Sequence, residues 1–157
     1  IGYGLDFGFT NDPSACVGVW KYDNELYVDE IFYERQLTNP MIASRLKEAN
    51  IRNCVADSSE PKSIEEIRRT GQQIKGVTKG ADSVNYGIQI MQSQNYLVTS
   101  QSTNLIKELR AYCWDADKSG KTLNKPQGKN DHAIDAVRYH EMETLGLNNS
   151  YGTYAIR

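Results

Sequence analysis

Cysteine and histidine are scarce in this chain, and the shortage narrows its chemistry. Three cysteines and two histidines occur in 157 residues. Cys16, Cys54 and Cys113 are odd in number and widely separated, with no Cys-x-x-Cys spacing. Together with so few imidazoles, that argues against a structural zinc site. Cys16 and Cys54 fall in segments that read as strands, so they are expected as buried free thiols in a reducing compartment. Long apolar runs are missing too. None approaches the length needed to cross a bilayer, so no membrane partner is expected. No basic start followed by an apolar stretch marks a signal peptide. Internal repeats and low-complexity tracts are absent. The chain opens at Ile1 in what already reads as a strand, as expected of a piece excised from a longer polypeptide. Its length suits one ordinary domain with a real core.

Nucleotide-binding loops are also lacking. Gly120-Lys121-Thr122 resembles the end of a phosphate-binding P-loop, but the glycine required five residues earlier is Asp115. Asn124 and Pro126 follow where a helix should begin. Asp115-Ala116-Asp117-Lys118-Ser119-Gly120 resembles half of a calcium loop, yet its twelfth position is Pro126 rather than a bidentate glutamate. Gly2-Tyr3-Gly4 and Gly8 precede no helix and make no dinucleotide fingerprint. Net charge is −2, which alone neither favours nor excludes nucleic acid. Its distribution is uneven. The first sixty residues are acid-rich, whereas Lys118, Lys121, Lys125 and Lys129 form a basic stretch without an acid. That stretch reads either as a solvated loop or as a phosphate-contacting arm.

What is present is an ordered run of elements. Residues 3–9, 15–21 and 25–33 read as three strands, the last two a hairpin around Tyr22-Asp23-Asn24. Asn39-Pro40 opens a helix with Met41, Ile42, Leu46 and Ala49 on one face. Residues 53–57 form a short apolar strand, Pro61 starts a helix ending near Gly71, and residues 73–77 make another strand. A helix over 81–94, a short strand over 96–99 and a helix over 104–114 follow. Residues 115–128 read as a loop or weak hairpin, and 131–145 as the last helix. From Gly146 the composition is that of a tail. Antiparallel strands followed by helix–strand alternation predict a single α/β domain with a mixed sheet flanked by helices.

Three carboxylates stand out against this frame. Asp6 lies between Leu5 and Phe7 with Gly4 and Gly8 close by, and glycines there let a ligand or another backbone approach. Asp57 ends an apolar strand before a helix, a common site location in α/β domains; helix capping is its alternative role. Glu60, beside Pro61, is read as serving the helix N-terminus. Asp131 and Asp135 are i,i+4 on the last helix, with His132 beside Asp135. Asp131 is expected to be the N-cap, while Asp135 sits among Ile134, Ala136 and Val137 with Arg138 as its alternative partner. A carboxylate among apolar residues needs a cation or hydrogen bonds, and no matching set of basic residues lies in these segments. An all-oxygen cluster of Asp6, Asp57 and Asp135 suits Mg²⁺ or Mn²⁺. Two such ions roughly 3.5–4 Å apart support phosphodiester hydrolysis.

Gly4-Leu5-Asp6-Phe7-Gly8-Phe9 with Asn11-Asp12-Pro13, Val55-Ala56-Asp57-Ser58 with Glu60-Pro61, and Asn130-Asp131-His132-Ala133-Ile134-Asp135-Ala136-Val137-Arg138-Tyr139 resemble the nuclease domain of tailed-bacteriophage terminase large subunits. The resemblance runs from about Gly2 to Tyr139. It implies an RNase H-like fold with a five-stranded mixed sheet whose first three strands are antiparallel, over residues 1–146, with a tail at 147–157. It also implies an endonuclease that cuts concatemeric viral DNA during genome packaging with two Mg²⁺ or Mn²⁺ ions. Asp6, Asp57 and Asp135 would be the metal triad, Asp6 bridging both ions. Asp12 and Asp131 would be auxiliary carboxylates, and His132 a proton shuttle or DNA contact. Lys79, Ser83 and the lysines Lys118, Lys121, Lys125 and Lys129 would contact double-stranded DNA. Expected partners are the ATPase domain of the same polypeptide, the small terminase subunit and the portal, in the host cytoplasm during assembly. The domain alone is expected to be monomeric and without ATPase activity. Other readings are a Holliday-junction resolvase or RNase H on the same fold, an actin-like or sugar-kinase ATPase half, and a non-catalytic docking module.

Overall fold

The computed structural model describes residues 2–23 and 25–150. Thirteen elements follow in order: β1 (Gly2–Asp6), β2 (Ser14–Tyr22), β3 (Glu25–Glu34), α1 (Asn39–Glu48), β4 (Asn53–Ala56), α2 (Pro61–Arg68), β5 (Gln73–Gly76), α3 (Ser83–Gln92), β6 (Tyr96–Val98), α4 (Thr103–Ala111), β7 (Trp114–Ala116), β8 (Thr122–Pro126) and α5 (His132–Ser150). Six strands form one sheet in the order β5-β4-β1-β2-β3-β6. β1, β2 and β3 are antiparallel, while β4 joins β1, β5 joins β4 and β6 joins β3 in parallel. The mixed sheet is as expected, with one strand more than the five implied by the resemblance. The added strand is β6, paired with β3 from Leu26 to Val28.

Strand periodicity sorts the side chains onto two faces. Leu5, Cys16, Cys54 and Ala56 point to the side covered by α1 and α2, where Ile42, Leu46, Ile64 and Ile67 complete a buried cluster. Ala15, Val17, Val19 and Val28 face Leu105 of α4 and Ala133, Ile134 and Val137 of α5. A register shift between Cys16 and Val17 adjusts β2 against β3. Both Cys16 and Cys54 are buried free thiols. They belong to β2 and β4, on either side of β1, and burial, reinforced by the neighbouring Cys54, pushes the Cys16 thiol up.

Several boundaries move for local reasons. β1 stops at Asp6 rather than running to residue 9, and past it Gly8 bonds a side chain instead of a neighbouring strand. Its N–H is bonded to Ser14 Oγ at 3.2 Å, and that hydroxyl donates back to Gly8 O at 2.8 Å. α4 ends at Ala111, and Trp114 opens β7 instead of closing a helix. Residues 114–126 form a true hairpin of β7 and β8. At its tip Asp117 Oδ1 accepts from Ser119 N, Ser119 Oγ and Lys121 N at 2.6–2.9 Å. The calcium-loop look of this segment is thus turn chemistry, and Thr122 begins a strand where a P-loop needs a helix. α5 runs to Ser150, past the expected end at Leu145. Of the expected tail, 151–157 lie outside the described residues.

Candidate active site

β1 and β4 are parallel neighbours, so Asp6 at the end of one and Asp57 just after the other emerge at the same edge of the sheet. α5 lies directly over β1. A Cβ on Gly4 would stand 1.8 Å from the carbonyl oxygen of Ala136, so glycine is required for this approach. The glycines flanking Asp6 serve backbone packing: at Gly8 the crowding atoms are the carbonyls of Asp12 and Pro13. The close crossing brings Asp135 above Asp6. A cleft of about 700 Å³ is lined by Gly2, Asn53, Gln73 and His140 at the opposite end of the same strands. The carboxylates therefore lie away from it, at the other edge of the sheet.

The electrostatics of the three acids differ. Asp6 is buried, and its carboxyl is pushed up to about 6. Burial is the main cause, opposed by a hydrogen bond with His132 and reinforced by the charges of Asp135 and Asp57. Asp57 is also raised by burial, but Lys79 and Ser59 more than offset this and hold it below the usual carboxylate range. Lys79 Nζ pairs with Asp57 Oδ1, and Ser59 N donates to the same oxygen at 2.8 Å. Asp135 is gripped by Arg138 through Nη2–Oδ2 at 2.7 Å and Nε–Oδ1 at 3.1 Å. Tyr139 Oη lies 3.1 Å from Asp57 Oδ2 and 3.4 Å from Asp135 Oδ2.

The partner of Asp57 thus comes from elsewhere, Lys79 from beyond β5, while Asp135 takes the alternative partner named for it, Arg138 one turn along α5. Among the described residues, no group of three His, Cys, Asp or Glu side chains is placed to hold a metal ion as it stands. Lys79, Arg138, Tyr139 and His132 occupy the oxygens instead. Even so, among the described residues these acids, Asp6, Asp12, Asp57, Asp131 and Asp135, outnumber the cations paired with them, Lys79 and Arg138, and Asp6 feels the charges of Asp135 and Asp57 as repulsion. Such a set of hard oxygen donors suits a divalent cation.

His132 opens α5 and sits between two acids, with Nδ1 3.0 Å from Asp6 Oδ2 and Nε2 3.5 Å from Asp12 Oδ1. The Asp6 hydrogen bond raises its pKa against the opposing effect of burial. Asp12 is largely exposed at the rim. Asp131 is raised by burial and by Asp135. Asp131 precedes α5, but its expected capping bonds are made by another residue. The N–H groups of Ala133 and Ile134, which an N-cap at Asp131 would bond, donate to Glu108 Oε2 at 2.8 and 3.0 Å. Glu108 Oε1 accepts from Tyr33 Oη at 2.7 Å, and the Tyr33 ring meets His132 edge-on.

Glu108 is the residue that sequence reasoning missed. Its one signal was an acid on an otherwise apolar face of α4, next to Leu105. Glu30 does the same for α4: its carboxylate accepts from Asn104 Nδ2 and Leu105 N, while Ser102 Oγ accepts from Glu30 N. Glu60 precedes α2 as expected, with Ser63 Oγ donating to it at 3.3 Å.

The expected DNA contacts are dispersed. Lys79 is in the cluster itself. Ser83 opens α3. Lys118, Lys121, Lys125 and Lys129 are exposed along the β7–β8 hairpin and its exit, Lys125 pairing with Asp115 at 3.4 Å. The hairpin is tied to α3 by Asn85 Nδ2 donating to Asn124 O at 3.0 Å, and its exit leads into α5.

A mixed sheet of this order, with carboxylates at the ends of β1 and β4 and on the closing helix, defines an RNase H-like domain. The family model of the terminase RNase H-like domain matches residues 6–140, and the chain belongs to that family. It is 30% identical over 148 residues to the terminase large subunit of Bacillus phage SPP1, covering 88% of this chain and 35% of that protein. Against the PBSX phage terminase large subunit of Bacillus subtilis strain 168, identity is 28% over 141 residues, covering 87% and 33%. The chain thus spans about a third of the length of these curated relatives. The crystal structure of the SPP1 large terminase nuclease domain with bound Mn aligns with a TM-score of 0.79 at 28% identity, covering 89% of this chain and 85% of that one.

Proposed function

We propose that this domain is a divalent-metal-dependent endodeoxyribonuclease that cuts concatemeric viral DNA during genome packaging. The observation that carries this reading is the under-neutralised cluster at the carboxyl edge of β1 and β4, where burial and the neighbouring acids raise Asp6 to about 6. The SPP1 relative was solved with Mn bound, which supports Mn²⁺ or Mg²⁺ as the cation here. Asp6, Asp57 and Asp135 would hold two ions, with Asp12 and Asp131 as auxiliary carboxylates. Bound there, the ions would supply Lewis acidity to activate water and stabilise the leaving oxygen.

The chain's own residues supply the rest. Glu108 and Gly4 fix α5 over β1, which orients Asp135 and His132. His132 holds a proton between Asp6 and Asp12, where it can serve the reacting phosphate oxygens or contact the backbone. Lys79, Ser83 and the hairpin lysines would bind the duplex, since phosphate contacts provide most of sequence-independent affinity. In the full polypeptide an ATPase domain would drive translocation, with the small subunit and portal as partners in the host cytoplasm; this domain itself would not hydrolyse ATP. Supercoiled plasmid incubated with Mn²⁺ should be nicked and linearised, EDTA should stop the reaction, and Asp6→Asn should abolish it while remaining folded. Unimpaired cutting by Asp6→Asn would sink the assignment. Four-way junctions and RNA–DNA hybrids should be cut no better than linear duplex.

A further inference from the structure

One side chain touches both halves of the cluster without itself being an acid. Tyr139 is buried against Val55, Val77, Ile90 and Met142, which fixes its ring. Its hydroxyl reaches Asp57 Oδ2 at 3.1 Å and Asp135 Oδ2 at 3.4 Å. The cations that pair with those two acids lie against the same ring, Lys79 Nζ at 5.0 Å and Arg138 Cζ at 4.8 Å from its centroid. A single O–H proton serves one acceptor at a time. The shorter contact makes Asp57 the bonded partner, and Asp135 stands within reach as the alternative.

We infer that Tyr139 is a positioning residue that sets the separation of Asp57, on the sheet, from Asp135, on α5, and so prepares the pair to share divalent cations. The inference rests on the metal-dependent reading of the site. Two carboxylates on different elements repel one another, and a hydroxyl that bonds Asp57 with Asp135 as its alternative acceptor draws both toward one fixed point without adding charge. The apolar cluster makes that donor rigid, because the ring has no room to swing aside. Each carboxylate oxygen offers more than one lone-pair direction, so the hydroxyl bond leaves acceptor capacity free. Loss of such an outer partner weakens metal affinity by about 10–100-fold in known sites.

The test is Mn²⁺ titration of the metal-free protein, with unbound ion followed by electron paramagnetic resonance. Tyr139→Phe keeps the ring and its packing and removes the hydroxyl. Its Kd for Mn²⁺ should rise about tenfold or more, with a melting temperature close to that of the parent. Leu46→Ala loosens the apolar cluster under α1 and α2, on the sheet face opposite α5 and away from Tyr139, and its Kd should stay unchanged. Parent-like Mn²⁺ binding by Tyr139→Phe overturns the inference, as does equal weakening by Leu46→Ala. If the parent itself shows no saturable binding that Asp6→Asn removes, the metal assignment fails and the inference falls with it.

Discussion

Asp6 is where function and stability oppose each other within one side chain. Its proton is held more tightly in the folded protein, with a pKa about 6 against an ordinary 3.8. A carboxyl shifted that way favours the fold at low pH, and this contribution is lost as pH rises from 3.8 through about 6. The shift corresponds to about 3 kcal/mol in the metal-free state. Asn at this position keeps the shape and carries no charge, so metal-free Asp6→Asn should melt several degrees above the parent at pH 8. The two should converge near pH 4, where Asp6 is protonated. Calorimetric melts across that range decide the matter, and a variant no more stable than the parent at pH 8 would mean the burial cost has been misread. His132 shifts upward with Asp6 as its main cause; its contribution is present below its ordinary 6.5 and fades as pH climbs through the raised value. The Asp57–Lys79 pair runs the other way, stabilising above the ordinary 3.8 and fading as pH falls below it.

At the level of elements, the acids were legible and their supports were not. Asp6, Asp57 and Asp135 could be found in sequence because each interrupts an apolar segment, and a local pattern is enough to see that. Gly4 was noticed for the space it leaves, but the backbone that fills the space comes from Ala136, more than a hundred residues on. Asp131 looked like the N-cap of α5 for a good local reason, its place before Ala133-Ile134. The capping bonds went instead to Glu108, a pairing set by tertiary packing of α4 on α5. Such a contact has no local periodicity to announce it. The same holds for Lys79, which reaches Asp57 from beyond β5, whereas Arg138, one turn along α5, was already legible as the alternative partner of Asp135.

Glu108→Ala should leave the N–H groups of Ala133 and Ile134 without their acceptor and cost about 2–3 kcal/mol of stability. Glu108→Gln keeps one carbonyl oxygen for both donors and should recover most of that. Cleavage rates should follow the same order, with Ala losing kcat more than it raises KM, because the first turn of α5 carries His132 and Asp135. A Gln variant as impaired as Ala would show that the charge, not the cap, is what α5 needs.

Across the whole molecule the charge is arranged as a dipole of function. Net charge is −2, and the acids at the sheet edge repel a phosphate backbone. Attraction must then be local, and the β7–β8 hairpin with its exit gathers Lys118, Lys121, Lys125 and Lys129 on exposed positions next to the entry of α5. Lys125 is already paired with Asp115, whereas Lys118 and Lys121 stand near the tip, where the turn built by Asp117 presents them. Duplex binding in Ca²⁺, an oxygen-loving cation that can screen the acids, should weaken steeply with salt. Each phosphate contact contributes about 0.9 to the slope of log K against log salt. Replacing Lys118 and Lys121 by alanine should therefore lower that slope by close to two, measured by fluorescence anisotropy over a salt series. Mn²⁺ affinity without DNA should not change, because neither lysine touches the carboxylates. An unaltered slope would mean the hairpin is solvated and that the duplex approaches from the α3 side, past Lys79 and Ser83.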